Sequence, residues 1–102
     1  MYLINLIEFL QARDPSQSVK IGFGNPHSYR GYYEELAFEK VRDTTVGAML
    51  ESAQSASGRT LTGYKGGEYT MGDYTNCWLA QYGEASQESI GITLLQFMLG
   101  EI

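Results

Sequence analysis

The sequence contains one histidine and one cysteine, which limits the nucleophilic chemistry it could support. A Ser–His–Asp or Cys–His arrangement would have to use His27, and a thiol nucleophile would have to be Cys77. Cys77 is followed by Trp78 and Leu79 in an apolar segment, where a thiol usually packs as an inert core residue. We therefore assign no catalytic residue and expect a protein that is not an enzyme.

Metal and cofactor motifs are also missing from the sequence. No spacing of His, Asp, Glu and Cys matches a known set of metal ligands, and a lone cysteine excludes a cysteine-rich zinc site within one chain. Residues 22–27 (GFGNPH) lack the third glycine and the following helix of a dinucleotide fingerprint, and residues 65–67 (KGG) are not a Walker motif. Glu34 and Glu35 point to opposite faces of a strand, so they cannot act as a carboxylate pair. We expect no metal and no cofactor.

Two glycine-containing segments combine aromatic rings with a cation and form the candidate ligand-binding site. Their backbone N–H groups could meet an anion, with Arg30 and Lys65 as charged partners. Tyrosine is frequent, at 8 of 102 residues, and its rigid ring with a hydroxyl suits recognition because little entropy is lost. The predicted ligand-binding residues are Asn25, His27, Ser28, Tyr29, Arg30, Tyr32, Tyr64, Lys65, Gly66, Gly67 and Tyr69.

The residue types in this predicted site suggest separate roles. Arg30 would make a forked contact with a phosphate or carboxylate, and Lys65 would add a point charge. Tyr29 or Tyr64 would stack on a ring of the ligand. The alternatives are that the glycines serve only hairpin turns and that Arg30 is a solvated cation or pairs with Glu34.

The spacing of apolar residues predicts the elements that would position this site. Helices are predicted over residues 2–12 and 89–99, and a third begins after a cap at residues 43–45 and ends at Gly58. Gly47 in the first turn of that helix suggests close packing there. Strands are predicted over residues 18–23, 32–41, 59–64 and 77–82. Residues 24–31 are predicted as a loop by their glycines and proline, and 83–87 as a polar loop.

These elements predict an α+β fold in the order α-β-β-α-β-β-α. About three helices would pack on a small, mainly antiparallel sheet of about four strands, within one domain spanning residues 1–102. The loop at residues 25–31 and the turn at 64–69 should lie near each other, because each adjoins a strand of the same sheet. A chain of this size has a modest core, so we also expect a homo-oligomer.

Composition narrows the choice of partners and compartment. The formal net charge is −5, from 12 acidic and 7 basic residues, so the basic footprint of a nucleic-acid-binding protein is absent. One cysteine suits a reducing compartment. The apolar N-terminal segment lacks the basic region of a signal peptide, and no stretch is long enough to span a membrane. We expect a cytoplasmic protein without direct contact to nucleic acid or membrane.

Residues 21–31 (IGFGNPHSYRG) and 63–71 (GYKGGEYTM) resemble a family of short uncharacterised proteins of phages and prophages. The similarity extends from about Ile21 to Leu99. The resemblance implies a viral origin, and therefore the cytoplasm of a host cell. Small accessory proteins of phages often counter host defence by sequestering a nucleotide signal or by blocking a defence protein. Extending this role to the present chain is an analogy with other phage proteins and does not rest on particular residues.

Three functions remain open from the sequence. The first is a binding protein that sequesters a small nucleotide-like or phosphorylated ligand, at a dimer interface, to counter host defence. The second is a protein-binding inhibitor of a host defence complex that mimics nucleic acid through its acidic surface. The third is an enzyme for a small substrate, which is disfavoured because the sequence offers few candidate catalytic residues.

Overall fold

The computed structural model describes residues 1–29, 32–62, 68–80 and 87–101. Within these residues the chain forms three helices and six strands. The helices are α1 (Leu3–Gln11), α2 (Val46–Ala56) and α3 (Ile92–Met98). The strands are β1 (Ser18–Tyr29), β2 (Tyr32–Thr45), β3 (Thr60–Thr62), β4 (Glu68–Thr70), β5 (Cys77–Ala80) and β6 (Gln87–Ser89).

The main sheet is mixed and has the strand order β1-β2-β5-β6. β1 pairs antiparallel with β2, β2 pairs parallel with β5, and the three-residue β6 pairs antiparallel with β5 at the edge. A parallel pair needs a long connection, and here α2 and the small β3–β4 sheet lie between β2 and β5 in the chain. The β3–β4 sheet contacts β1 and β2.

The α+β class and the three helices are confirmed, whereas the predicted four strands and their order are not. β3 and β4 form a separate two-stranded sheet, and a short strand, β6, lies where a loop and the start of a helix were predicted. The sequence pattern marks extended segments, but it does not say which of them pair. Strand pairing is a long-range property, so the number of strands in one sheet could not be predicted from the local alternation of apolar and polar residues.

The helices begin and end close to the residues that the capping signals indicate. The Thr45 hydroxyl accepts a hydrogen bond from the Ala48 N–H at 3.1 Å and so caps α2. Gly58 follows α2 with φ +74°, the left-handed conformation that favours glycine. Gly47 donates its N–H to the Pro15 carbonyl at 2.9 Å. A side chain at position 47 would collide with this backbone, which confirms the close packing expected there.

α3 begins three residues later than predicted. Ser89 pairs with Trp78 across the β5–β6 ladder. Ile90 donates its N–H to the Cys77 carbonyl at 3.0 Å. The predicted helix start at residue 89 was therefore wrong, because hydrogen bonds to β5 hold these residues extended until Gly91, the residue before α3.

The predicted loop at residues 24–31 was wrong over residues 24–29, which belong to β1. The register shifts between Gly24, opposite Glu39, and His27, opposite Ala37. Asn25 lies inside this shift with φ +49°. A β-bulge therefore accommodates Asn25 and Pro26 without ending the strand, as bulges commonly do where proline occurs in an edge strand.

The hydrophobic core joins all three helices to the main sheet. Phe23 of β1 and Phe38 of β2 pack with ring centroids 4.5 Å apart and are almost completely buried. Helix α2 approaches β1 over Gly22, where an added Cβ would lie 2.7 Å from Thr44 Cγ2 and 2.8 Å from Met49 Sδ. Each helix contributes fully buried residues: Leu3, Leu6 and Leu10 from α1, Val46, Met49, Ala53 and Ala56 from α2, and Leu95 from α3.

Gly22→Ala should lower the free energy of unfolding by about 1–3 kcal/mol, because the new methyl group overpacks the contact between β1 and α2. Gly72→Ala is the matched control, since a Cβ there meets no atom within 4 Å. The control should change stability by less than about 1 kcal/mol. Urea unfolding monitored by circular dichroism measures both. Equal midpoints for Gly22→Ala and the wild type would contradict this packing.

Candidate functional site

The two predicted site residues whose side chains the structure describes contact each other and a carboxylate. Asn25 donates its Nδ2–H to Glu39 Oε2 at 3.2 Å. His27 Nδ1 lies 3.1 Å from the Asn25 carbonyl oxygen. These contacts stabilise the bulge in β1. The amide of Asn25 is thus already used by an acidic neighbour, which is an unfavourable position for anion recognition.

The other nine predicted site residues are described only in part or not at all. Tyr29 lies opposite Tyr32 at the end of the β1–β2 ladder, Ser28 lies in β1 and Tyr69 lies in β4, but their side chains are outside the described part. The predicted proximity of residues 25–31 and 64–69 stays a prediction. Wholly outside the described residues are Arg30, Tyr64, Lys65, Gly66 and Gly67.

A different cavity is formed between α3 and residues of β1, β2 and β5 in the main sheet. The cavity has a volume of about 490 Å³ and opens to solvent. Its size falls in the range of small-molecule sites. We call it the α3 groove. Its described lining consists of Lys20, Ile21, Lys40, Leu79, Leu94, Phe97 and Met98.

Strand register brings three of the sheet residues of the groove, Ile21, Lys40 and Leu79, onto one face. Ile21 of β1 lies opposite Arg42 of β2, and Leu79 of β5 lies opposite Phe38 of β2. Arg42 and Phe38 are each two residues from Lys40 along β2. Because side chains alternate between faces along a strand, all five share a face. The parallel pairing of β2 with β5 therefore places Leu79 beside Lys40.

Helix α3 supplies the opposite wall through residues at helical spacing. Leu94, Phe97 and Met98 stand at positions i, i+3 and i+4, so they project from one side of the helix. Leu95 points into the core and is fully buried. Phe97 is 71% exposed, and Ile21 on the sheet side is 49% exposed. The groove thus presents a large apolar surface to solvent.

Side chains from α1 and the following turn hold the segment after α3 in place. Arg13 donates to both carboxylate oxygens of Glu101, at 2.9 and 3.0 Å, and its guanidinium lies 3.5 Å from the Phe9 ring centroid. Gln17 donates its Nε2–H to the Leu99 carbonyl at 2.8 Å. The hydrogen bonds from Arg13 lower the pKa of Glu101. Acidification that protonates Glu101 would weaken this anchor.

The described lining of the groove carries only positive charge, whereas the chain as a whole is acidic. Lys20 and Lys40 are exposed, and in the described part of the chain neither forms a salt bridge. Arg42 follows Lys40 on the same face. None of the described lining residues is acidic. A locally positive, apolar surface therefore exists within a chain of net charge −5.

Cys77 is the first residue of β5, and its buried side chain makes an unsuitable nucleophile. Its side chain is fully buried, and desolvation raises the pKa of the thiol to about 12. The thiolate fraction at neutral pH is therefore negligible. Over residues 1–29, 32–62, 68–80 and 87–101, no three His, Cys, Asp or Glu residues lie close enough to hold a metal ion.

Compared with protein families, curated proteins and solved structures, the chain shows no significant match. In the described residues no helix has the length and apolar character needed to cross a membrane. The interpretation of the site therefore rests on its own geometry.

The sequence prediction missed the α3 groove because its residues come from four separate segments. One signal in the sequence does point to it. α3 has Ile92, Leu94, Leu95, Phe97 and Met98 within seven residues, so apolar side chains surround most of the helix. A helix of this kind is normally covered on every side, and one of the sides that the described residues leave partly uncovered is the wall of the groove.

In the native protein, Cys77 should resist alkylation by iodoacetamide at pH 8, because its thiol is buried and protonated. The same chain in 8 M urea should react fully within the labelling time. Intact mass measures the modified fraction, and Cys77→Ser controls for labelling elsewhere. A native rate that equals the unfolded rate would mean that the segment around β5 is not packed as described.

Proposed function

We propose that this chain is a binding protein, without covalent catalysis, that holds a small anionic ligand with a large apolar part in the α3 groove. The observation that carries the proposal is the combination of an apolar floor with two exposed lysines that lack a described acidic partner. Apolar walls provide most of the affinity in such sites, and a few charged groups fix orientation. The groove has both.

The ligand class agrees with the sequence-based hypothesis of a phosphorylated or nucleotide-like molecule. Lys40 would meet the phosphate or carboxylate as a point charge, and Phe97 would cover the apolar part at the mouth of the groove. Sequestration of such a ligand in the cytoplasm of a host cell, to counter host defence, is the biological role we propose for a phage accessory protein. It requires binding alone, which fits the buried, protonated state of Cys77.

A second candidate is a protein-binding inhibitor of a host defence complex. The exposed Phe97 and Ile21 favour it, since exposed apolar side chains beside cations are typical anchors of protein interfaces. The partner face would then be acidic and apolar, opposite in charge to Lys20 and Lys40. Mimicry of nucleic acid would need a different, acidic surface of this chain.

Lys40→Glu should weaken binding of an amphipathic anion by about ten- to a hundredfold, because it replaces a charged contact with a repulsive one. The probe is 1-anilinonaphthalene-8-sulfonate, titrated by fluorescence against folded protein. Arg59→Glu is the matched control, as it makes the same charge change at an exposed position outside the groove.

Thermal melting checks that both variants remain folded, so that dye binding does not report unfolding. If the dye binds the wild type and both variants equally, the groove is not its site and the proposed function fails.

We also propose that the chain forms a homo-oligomer. Phe97 and Ile92, on two sides of α3, are 71% and 54% exposed, and contact with a second copy would remove apolar surface from water. Sedimentation velocity at micromolar concentration should therefore show a dimer or larger species. A single species of monomer mass at 100 micromolar would contradict oligomerisation, but it would leave the ligand proposal intact.

A further inference from the structure

The chemistry of the groove floor narrows the ligand class further. Apart from Phe97, the apolar lining residues are Ile21, Leu79, Leu94 and Met98, which present only aliphatic and thioether groups. The two lysine ammonium groups are the sole polar side-chain groups of the described lining. A nucleobase would bury N–H and C=O groups here without hydrogen-bond partners, which is unfavourable. An aliphatic chain has no such groups.

The two lysines are not equivalent as partners for an anion. Lys20 also lines a neighbouring cleft of about 200 Å³ together with Asp43, whereas Lys40 lines the α3 groove alone among these cavities. Lys40 lies opposite Phe23 and shares a face with Leu79. An anionic head at Lys40 would therefore place an attached chain directly on the aliphatic floor.

The mouth of the groove suits a narrow, flexible chain. Phe97 stands exposed beside Leu94 and Met98 on one side of α3. Methionine adapts its shape to irregular apolar partners because its side chain is unbranched and polarisable. A chain of methylenes can follow such a surface.

We propose that the ligand is a single-chain amphiphile: an aliphatic chain along Leu79, Leu94 and Met98 with a phosphate or carboxylate head at Lys40. This inference rests on the proposed function and replaces the nucleotide-like alternative with an aliphatic one. The proposed occupant is a free molecule in solution. One arm of the experiment tests the alternative, which is a lipid in a membrane surface.

The test is a chain-length series of n-alkyl phosphates with four to ten carbons, each below its critical micelle concentration. Displacement of 1-anilinonaphthalene-8-sulfonate from the folded wild type gives the affinities. Each added methylene should raise affinity about two- to fourfold, the upper value being that of complete burial. The gain should stop when the chain outgrows the groove.

Leu94→Ala should lower the affinity for octyl phosphate severalfold and leave that for butyl phosphate almost unchanged. Ile92→Ala is the control, since Ile92 lies on α3 but lines a different surface, with Phe9 and Glu8. Affinity for octyl phosphate should be unchanged in this control. An equal loss in both variants, or no loss in Leu94→Ala, would overturn the assignment of the ligand's alkyl chain to the apolar lining of the groove.

The remaining arms separate this inference from the proposed function. If adenosine monophosphate displaces the dye and affinity does not rise with alkyl length, the function stands and the aliphatic inference is overturned. If neither ligand displaces the dye, the proposed function fails as well. Binding to phosphatidylserine-containing vesicles as tight as binding to octyl phosphate would overturn the free amphiphile in favour of a lipid surface.

Discussion

The parallel pairing of β2 with β5 is the constraint on which the rest of the structure depends. It requires a crossover, and α2 together with the β3–β4 sheet occupies that connection. It also brings Cys77 and Leu79 beside Leu36 and Phe38, which closes the core under the sheet. β6 pairs with β5 and is followed in the chain by α3. The pairing of β2 with β5 therefore also determines where the α3 wall of the groove lies.

α3 is too short to be a stable helix without tertiary contacts, so contacts with other parts of the chain fix its position. At one end, the Ile90 N–H bonds to β5. At the other, Gln17 and the Arg13–Glu101 pair hold the residues after it. The exposed ion pair adds little stability by itself. Its contribution is geometric, because it joins the residues after α3 to the turn after α1.

Local features of the fold could be predicted from the sequence, whereas pairing could not. The Thr45 cap, Gly58 and the contact of Gly47 follow from steric and hydrogen-bonding rules that act within a few residues. The bulge at Asn25 and Pro26 depends on β2 holding both sides of the irregularity, so the sequence suggested a loop instead. For the same reason the groove was not foreseen: Ile21, Lys40 and Leu79 become neighbours only through register.

The exposed apolar residues of α3 support the proposed binding role. Phe97 and Ile92 leave large apolar area in water, and polar residues there would not disturb the core, because Leu95 alone is fully buried in this helix. The two sides of α3 also differ in charge, with lysines beside Phe97 and Glu8 beside Ile92. A surface that only needed solubility would show neither property. The lysine side therefore combines the charge and the apolar surface that the proposed amphipathic anion requires.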